Sequence, residues 1–307
     1  MTPAVAESVI DLVGNTPLLH LSRFAPAPLA DVYAKLEWFS PGGSVKDRAA
    51  LGMILDAESK GMLRSGSTII EPTAGNTGIG LALIGVARGY RVILCVPRGY
   101  AAEKMKLMEA LGGEIHYLPQ EAGMEGAIAC AKELAARIEG SFIPQQFENY
   151  ANPCFHETTT AREIIEQVNA PIDAVVIGAG TSGTFVGVSR AIKKANSNVL
   201  CVLVEPEGSI YGGKPAGPKK IEGIGQRDFI PPIFDASLAD EIMMVTDEEA
   251  CDAIRRLART EGVLGGWSSG AAAAAAYRVA ERLGAGKRIV TVFPDSAERY
   301  LSQGILD

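Results

Sequence analysis

Ser44-Val45-Lys46-Asp47-Arg48, set directly after Pro41-Gly42-Gly43, is where residue type and spacing first point to chemistry. The Pro-Gly-Gly turn stops one element, and Ala49-Ala50-Leu51-Gly52-Met53-Ile54-Leu55 reads as the start of a largely buried helix. A lysine held against apolar surroundings loses solvation of its ammonium, so its pKa falls and the neutral amine becomes available. A neutral amine forms a Schiff base with a carbonyl, the aldehyde of pyridoxal phosphate included. Taken alone, Lys46 is more simply a solvated surface charge. The chemical reading requires a phosphate cradle, a partner for a pyridine nitrogen and a carboxylate-binding loop elsewhere in the chain.

Three glycine- and hydroxyl-rich stretches qualify. Gly178-Ala179-Gly180-Thr181-Ser182-Gly183-Thr184 joins a strand at 173–177 to a helix at 184–194. Its amides at a helix N-terminus suit an anion, and Thr181, Ser182 and Thr184 add hydroxyl donors. The same stretch matches G-x-G-x-x-G, with Glu205 closing the next strand roughly 20 residues on, as a dinucleotide site would require. Phosphate cradle, dinucleotide loop and plain glycine turn all remain open on these residues. Glu71-Pro72-Thr73-Ala74-Gly75-Asn76-Thr77-Gly78 has the same strand-to-helix placement; it suits a carboxylate or a phosphate, or is only an N-cap turn. Gly265-Gly266-Trp267-Ser268-Ser269-Gly270 opens an alanine-rich helix. A serine there is an N-cap, or a neutral hydroxyl facing a pyridine nitrogen without fully protonating it.

The elements that must position these loops alternate. Strands at 67–71, 91–96 and 114–118 are separated by helices through 87, at 101–111 and at 124–138. A second series has helices at 156–168, 184–194, 247–261 and 270–283, with strands at 173–177, 199–205 and 288–293. A short helix at 4–13 and strand candidates at 18–21 and 32–37 precede them. Such alternation predicts an α/β fold with parallel, helix-covered sheets. The stretch 206–241, rich in Gly, Pro and Lys, predicts a long irregular loop of the functional or mobile kind.

Composition narrows the class. The chain has 307 residues, 47% hydrophobic and 21% charged, which suits a globular protein of about two domains. With a net charge of -7 and scattered basic residues, a nucleic-acid surface is not expected. No apolar run reaches the roughly 18 residues of a membrane helix, and no signal peptide is visible. Five widely spaced cysteines without a CxxC fit a cytoplasmic, reducing location. His20, His116 and His156 are unclustered and read as structural, so no metal site is expected.

Taken in order, Ser44-Val45-Lys46-Asp47-Arg48, Thr73-Ala74-Gly75-Asn76-Thr77, Gly180-Thr181-Ser182-Gly183-Thr184 and Ser268-Ser269-Gly270 resemble the cysteine synthase and cystathionine β-synthase family of fold-type II pyridoxal phosphate enzymes. Gln145-Gln146-Phe147-Glu148-Asn149, Glu222-Gly223-Ile224-Gly225 and Phe293-Pro294-Asp295-Ser296-Ala297-Glu298-Arg299-Tyr300 extend the resemblance to nearly the whole chain. It implies two domains, each a mostly parallel twisted sheet: a smaller one at 40–145 with the carboxylate loop, and a larger one at 1–39 and 146–307 with the phosphate loop, the cofactor lying in the cleft between. It makes Lys46 the Schiff-base lysine and the base for the substrate Cα proton, and Asn76 the partner of the cofactor's 3'-oxygen. Thr73, Gly75, Thr77 and Gln146 would hold the substrate carboxylate, and Gly180, Thr181, Ser182, Gly183 and Thr184 the phosphate. Ser268 would face the ring nitrogen, and Gly223 with the 206–230 loop would border the substrate entrance.

The implied reaction is β-replacement on O-acetylserine or serine by a thiol. The spelling is closest to compact bacterial cystathionine β-synthases that use O-acetylserine, which favours homocysteine slightly over sulfide as acceptor. A cysteine β-lyase is an alternative within the family, and a NAD-dependent oxidoreductase one outside it. The family also implies a homodimer. The ending Ile305-Leu306-Asp307 argues against docking of a partner acetyltransferase. Three departures stand out: Ser40 where many members have Asn, Ala74 where the loop often has Ser, and bulky Trp267 beside Ser268.

Overall fold

The computed structural model describes residues 5–306. The first part of the expected 4–13 helix and Asp307 lie outside them. Its described part is one 3-10 turn, Val9–Leu12, capped by Ser8. The strands β1 (Leu18–His20) and β2 (Asp31–Leu36) follow. Then come α1 (Lys46–Ser59), β3 (Thr68–Pro72), α2 (Asn76–Ala87), β4 (Arg91–Pro97), α3 (Ala102–Ala110), β5 (Glu114–Leu118), α4 (Gly123–Arg137) and β6 (Ser141–Phe142). The rest comprises α5 (Ala151–Thr158), α6 (Thr160–Val168), β7 (Ala174–Gly178), α7 (Gly183–Ala195), β8 (Leu200–Pro206), β9 (Glu241–Val245), α8 (Asp247–Glu261), α9 (Trp267–Leu283) and β10 (Arg288–Phe293). The expected helix at 156–168 is two helices, and the alanine-rich helix starts three residues earlier than expected, at Trp267.

The chain forms two compact units. One holds the residues up to Val13 and Ser40–Asn152; the other holds Gly14–Phe39 and the chain from Pro153. The first has a four-stranded sheet ordered β5-β4-β3-β6, parallel throughout. The second has a six-stranded sheet ordered β1-β2-β10-β7-β8-β9, parallel except for the β1–β2 pair. Both central strands are buried on both faces. β3 is buried along its whole length, and β7 is buried from Ala174 to Ile177. This explains why their sequences run apolar without alternating.

Strand order then locates the sites. From β3 the chain winds outward through β4 and β5 on one side, while β6 returns on the other. From β7 it winds through β8 and β9, while β10 lies on the opposite side. In open parallel sheets, ligands bind at such reversals, beyond the carboxyl ends of the strands. The ends of β3 and β7 carry the Thr73–Thr77 and Ala179–Thr184 loops.

In the second unit, packing sets where α9 sits. Ala271, Ala272, Ala273, Ala275 and Ala276 are buried in the core. A Cβ on Gly270 would stand 2.5 Å from the Ala250 carbonyl oxygen, so only glycine admits this approach of α9 to α8. The stretch 206–241 is irregular as expected, but it is pinned. Gly225 N donates to Ala179 O at 2.7 Å, and Lys219 Nζ donates to the carbonyls of Ile221 and Ile224.

Candidate active site

In the first unit, Lys46 opens α1, whose residues Asp47 to Ile54 are all buried. The turn before it is built for that placement. Gly42 N donates to Asp47 Oδ2 at 2.7 Å, and a Cβ on Gly42 would meet Asp47 Oδ1 at 2.3 Å. Gly43 follows at φ +73, a conformation that favours glycine. Lys46 N donates to Ser44 Oγ at 3.3 Å. A Cβ on Gly80 would sit 2.9 Å from the Lys46 carbonyl oxygen, so α2 packs closely against the start of α1.

The Thr73–Thr77 loop joins the end of β3 to α2. Gly75 is the N-cap of α2, and its own amide donates to Thr73 Oγ1 at 3.4 Å. The positive end of the helix dipole there suits an anion. A Cβ built on Gly75 meets nothing within 4 Å, so the loop opens onto space at that point. Thr73 and Thr77 are buried beside it. Thr77 Oγ1 donates to Gln146 Oε1 at 2.6 Å, which brings two of the expected carboxylate-binding residues together across 69 positions of sequence. Asn76 is the first residue of α2. Ala74 is buried and offers no hydroxyl.

In the second unit, β7 leads through 179–182 into α7. Ser182 is the N-cap at φ +75 and its side chain makes no cap bond, while Gly183 N donates to Thr181 Oγ1 at 3.5 Å. A left-handed turn at a helix N-terminus suits an anion. Gly180 cannot be replaced without displacement, since its Cβ would stand 2.3 Å from the Gly223 carbonyl oxygen. Two side chains from 206–230 hold the loop. Tyr211 Oη donates to Gly180 O at 2.8 Å, and Gln226 Nε2 donates to the same oxygen at 2.7 Å. With its own proton so used, Tyr211 accepts from Ser182 Oγ at 2.7 Å. The Ser182 hydroxyl is therefore tied inward, and its amide is the group this residue can offer a phosphate.

His156 lies beneath the same loop. It is buried, with Nδ1 2.8 Å from Thr160 Oγ1 and Nε2 3.2 Å from Thr184 Oγ1. Sequence reasoning missed the link of both His156 and Tyr211 to the loop. Neither stands at a motif spacing from it, so the sequence carried no signal for them.

Ser268 is the second residue of α9 and is buried. A Cβ on Gly223, which has φ +84, would sit 3.5 Å from Ser268 Oγ. Ser268, the serine expected to face the ring nitrogen, and the Gly223 turn are thus neighbours. Trp267 packs into the core with Ile221 and Ile224. Its indole N–H donates to Gln303 Oε1 at 2.9 Å, and Gln303 Nε2 donates to Glu222 Oε1 at 2.7 Å. Its bulk therefore serves the core and a chain of bonds that ends beside Gly223.

Glu205, which a dinucleotide site would use on a ribose, is buried with Oε1 accepting from Gly212 N at 3.1 Å. That inward turn does not suit a sugar. A helix start with a left-handed Ser182 whose hydroxyl is turned inward fits a phosphate, and the open Gly75 turn fits a carboxylate.

Comparison with known proteins agrees. Residues 9–295 match the family described as "Pyridoxal-phosphate dependent enzyme", and the chain belongs to it. It is 48% identical over 97% of both chains to a "Probable cysteine synthase" of Bacillus subtilis. Among solved structures, it superposes on an O-acetylserine dependent cystathionine beta-synthase from Helicobacter pylori with TM-score 0.93 and 43% identity, covering 99% of each chain. An O-ureido-L-serine synthase gives TM-score 0.95 and 40% identity, covering 99% of this chain and 96% of that one. The expected α/β fold and the cofactor class hold, and the oxidoreductase alternative falls. Among the described residues, no helix is long and apolar enough to cross a membrane.

Proposed function

We propose that the chain catalyses β-replacement on O-acetylserine, with homocysteine as the acceptor thiol. The observation that carries this reading is the pairing of Thr77 with Gln146 at the open start of α2, a hydrogen-bonding site for an amino-acid carboxylate. The likeness to the Helicobacter pylori enzyme supports O-acetylserine and homocysteine. The 48% identity to a probable cysteine synthase favours a second reading, with sulfide as acceptor.

In this proposal Lys46 holds the cofactor's aldehyde carbon, and Asn76 donates to its 3'-oxygen. Gly180, Thr181, Gly183 and Thr184, with the Ser182 amide, hold the phosphate. Ser268 gives the ring nitrogen a neutral hydroxyl. Pyridoxal phosphate, when bound, supplies an electron sink for the charge left at the substrate Cα. Thr73, Gly75, Thr77 and Gln146 fix the carboxylate so that the Cα proton faces Lys46. Once the substrate amine had displaced it from the aldehyde carbon, Lys46 Nζ would take that proton as acetate leaves Cβ, and return it to Cα after the thiol sulfur bonds to Cβ. Gly223 borders the path of the incoming substrate. The five free cysteines fit a cytoplasmic location, and a homodimer is the proposed assembly, checked by light scattering in solution.

The test is the visible absorption of the purified protein before and after O-acetylserine, followed by homocysteine or sulfide added separately. A band that changes with O-acetylserine and is restored faster by homocysteine supports the proposal. Faster restoration by sulfide selects the second reading. A protein that stays colourless after incubation with pyridoxal phosphate overturns the site assignment.

A further inference from the structure

The end of β3 carries a group that the reaction above does not use. Glu71 is buried, and its two carboxylate oxygens accept the amides of Gln145 at 3.0 Å and Gln146 at 3.1 Å. The β3–β6 ladder explains why they are needed. It pairs only Thr68 with Ser141 and Ile69 with Phe142, and Pro144 further along has no amide to donate. Beyond the proline, the chain turns through Gln145 at φ 56, a left-handed conformation that is uncommon for a non-glycine residue. The turn sends two successive amides to one carboxylate. Asn152 Nδ2 donates to Gln146 O at 3.0 Å from the other side, and the Gln146 side chain meets Thr77.

We propose that Glu71 is a positioning residue for the amino-acid substrate: by holding the amides of Gln145 and Gln146, its carboxylate fixes the Gln146 side chain against Thr77 and so sets the 73–77 loop. This rests on the reading that Gln146 and that loop take the substrate carboxylate. The hold depends on charge, because an ionised carboxylate accepts at both oxygens while a protonated one turns part of that capacity into a donor.

Burial pushes the Glu71 carboxyl up to about 7, against the lowering effect of the two amides. The elements packed on β3 bring no compensating charge. Neither α2 nor β6 contains a charged residue, and Arg91 on β4 and the charged residues of α4 are exposed. The titratable neighbours are Cys95 on β4, its thiol pushed up to about 12 by burial, and Cys130 on α4, hydrogen-bonded to Cys95. The tie is therefore set to loosen as pH falls through neutrality.

The holoenzyme and Glu71→Gln are compared between pH 6 and pH 8 in two measurements. In wild type, the KM for O-acetylserine should rise as pH falls, with an inflection near 7 and a much smaller change in kcat. In Glu71→Gln the side-chain amide NH2 opposes one backbone N–H, so KM should be raised about tenfold at pH 8, a loss near 1.4 kcal/mol, and the inflection should vanish. The substrate's own amine titrates identically in both proteins and cancels in the comparison. Hydrogen exchange of the segment around 145 and 146, corrected for the chemical rate, should show protection falling from pH 8 to pH 6 in wild type only. Because wild type alone supplies that pH series, it decides the matter even if the variant does not fold. Exchange that does not change with pH, or KM profiles that superpose within twofold, would overturn the proposal. A protein that turns over no donor would overturn the proposed reaction and not the tie, which exchange measures by itself.

Discussion

The loops at the ends of β3 and β7 have the same place in their sheets and are held in opposite ways. At β7, the 179–184 turn is held without a carboxylate: Tyr211 and Gln226 on the Gly180 carbonyl, and His156 on Thr184. At β3, the neighbour of the 73–77 turn is held by a carboxylate, Glu71. A phosphate bears its own charge close to the backbone, so a buried anion beside it would repel it. On the proposed reading the 73–77 loop takes a zwitterionic substrate, exchanged at every turnover, and tolerates an anionic support one strand residue away. The difference would then separate a permanent grip from one that responds to pH.

The largest effect expected bears on neither support. Lys46→Ala should lower kcat/KM by about 10³-fold or more, since it removes both the cofactor anchor and the base. The variant should also lose the visible response to O-acetylserine. A variant that kept that response would show that another amine holds the cofactor.

Next comes the cost of the anionic support. The folded Glu71 carboxyl, at about 7, lies above its ordinary 4.5, so between these values the fold keeps a proton that the unfolded chain has lost. Stability should therefore fall as pH rises through that window, by roughly 3 kcal/mol in all, and level off above it. Urea unfolding of wild type against Glu71→Gln at pH 5 and pH 8 checks this, with the decline expected in wild type alone. The same ionisation that tightens the grip on Gln145 and Gln146 weakens the fold. Equal pH dependence in the two proteins would mean the carboxyl titrates normally.

Thr77→Val sharpens the comparison from the ligand side. It deletes the hydroxyl that meets Gln146 Oε1 and leaves that buried oxygen without its donor. The expected loss of about 1–2 kcal/mol should appear as a roughly tenfold higher KM for O-acetylserine at little cost in kcat.

How much of this was legible depends on whether neighbours in space are neighbours in sequence. Lys46, the Gly75 turn and the Gly180 turn were readable because each joins its chemistry to a local backbone signal: a Pro-Gly-Gly stop or glycines between a strand and a helix. The alternation of apolar strands with helices gave the parallel sheets. Strand order was not readable, and with it the reversal beside β3 that puts Gln146 against Thr77. In the sequence Glu71 reads only as the end of a strand, because its partners are the backbone amides of residues 74 and 75 positions away, which no side-chain motif records. His156 was set aside as structural for want of a second histidine, although its role is to fill the space between Thr160 and Thr184. Trp267, a bulky departure from the family pattern beside Ser268, belongs to the core.

The smallest effect expected is also the cleanest test of the contrast. Tyr211→Phe keeps the ring that packs against Phe234 at 4.9 Å between centroids, and removes only the hydroxyl. Gly180 O retains Gln226 Nε2, so that carbonyl stays satisfied, while Ser182 Oγ loses its acceptor. A net loss near 1 kcal/mol corresponds to roughly fivefold weaker retention of pyridoxal phosphate, measured by dialysis and return of the visible band. Burial pushes the Tyr211 phenol up, away from the neutral range, so the ratio of variant to wild type should not change between pH 6 and pH 8. If the ratio did vary with pH, the grip on the phosphate loop would contain a titrating member, and His156, which touches Thr184, would be the residue to substitute next.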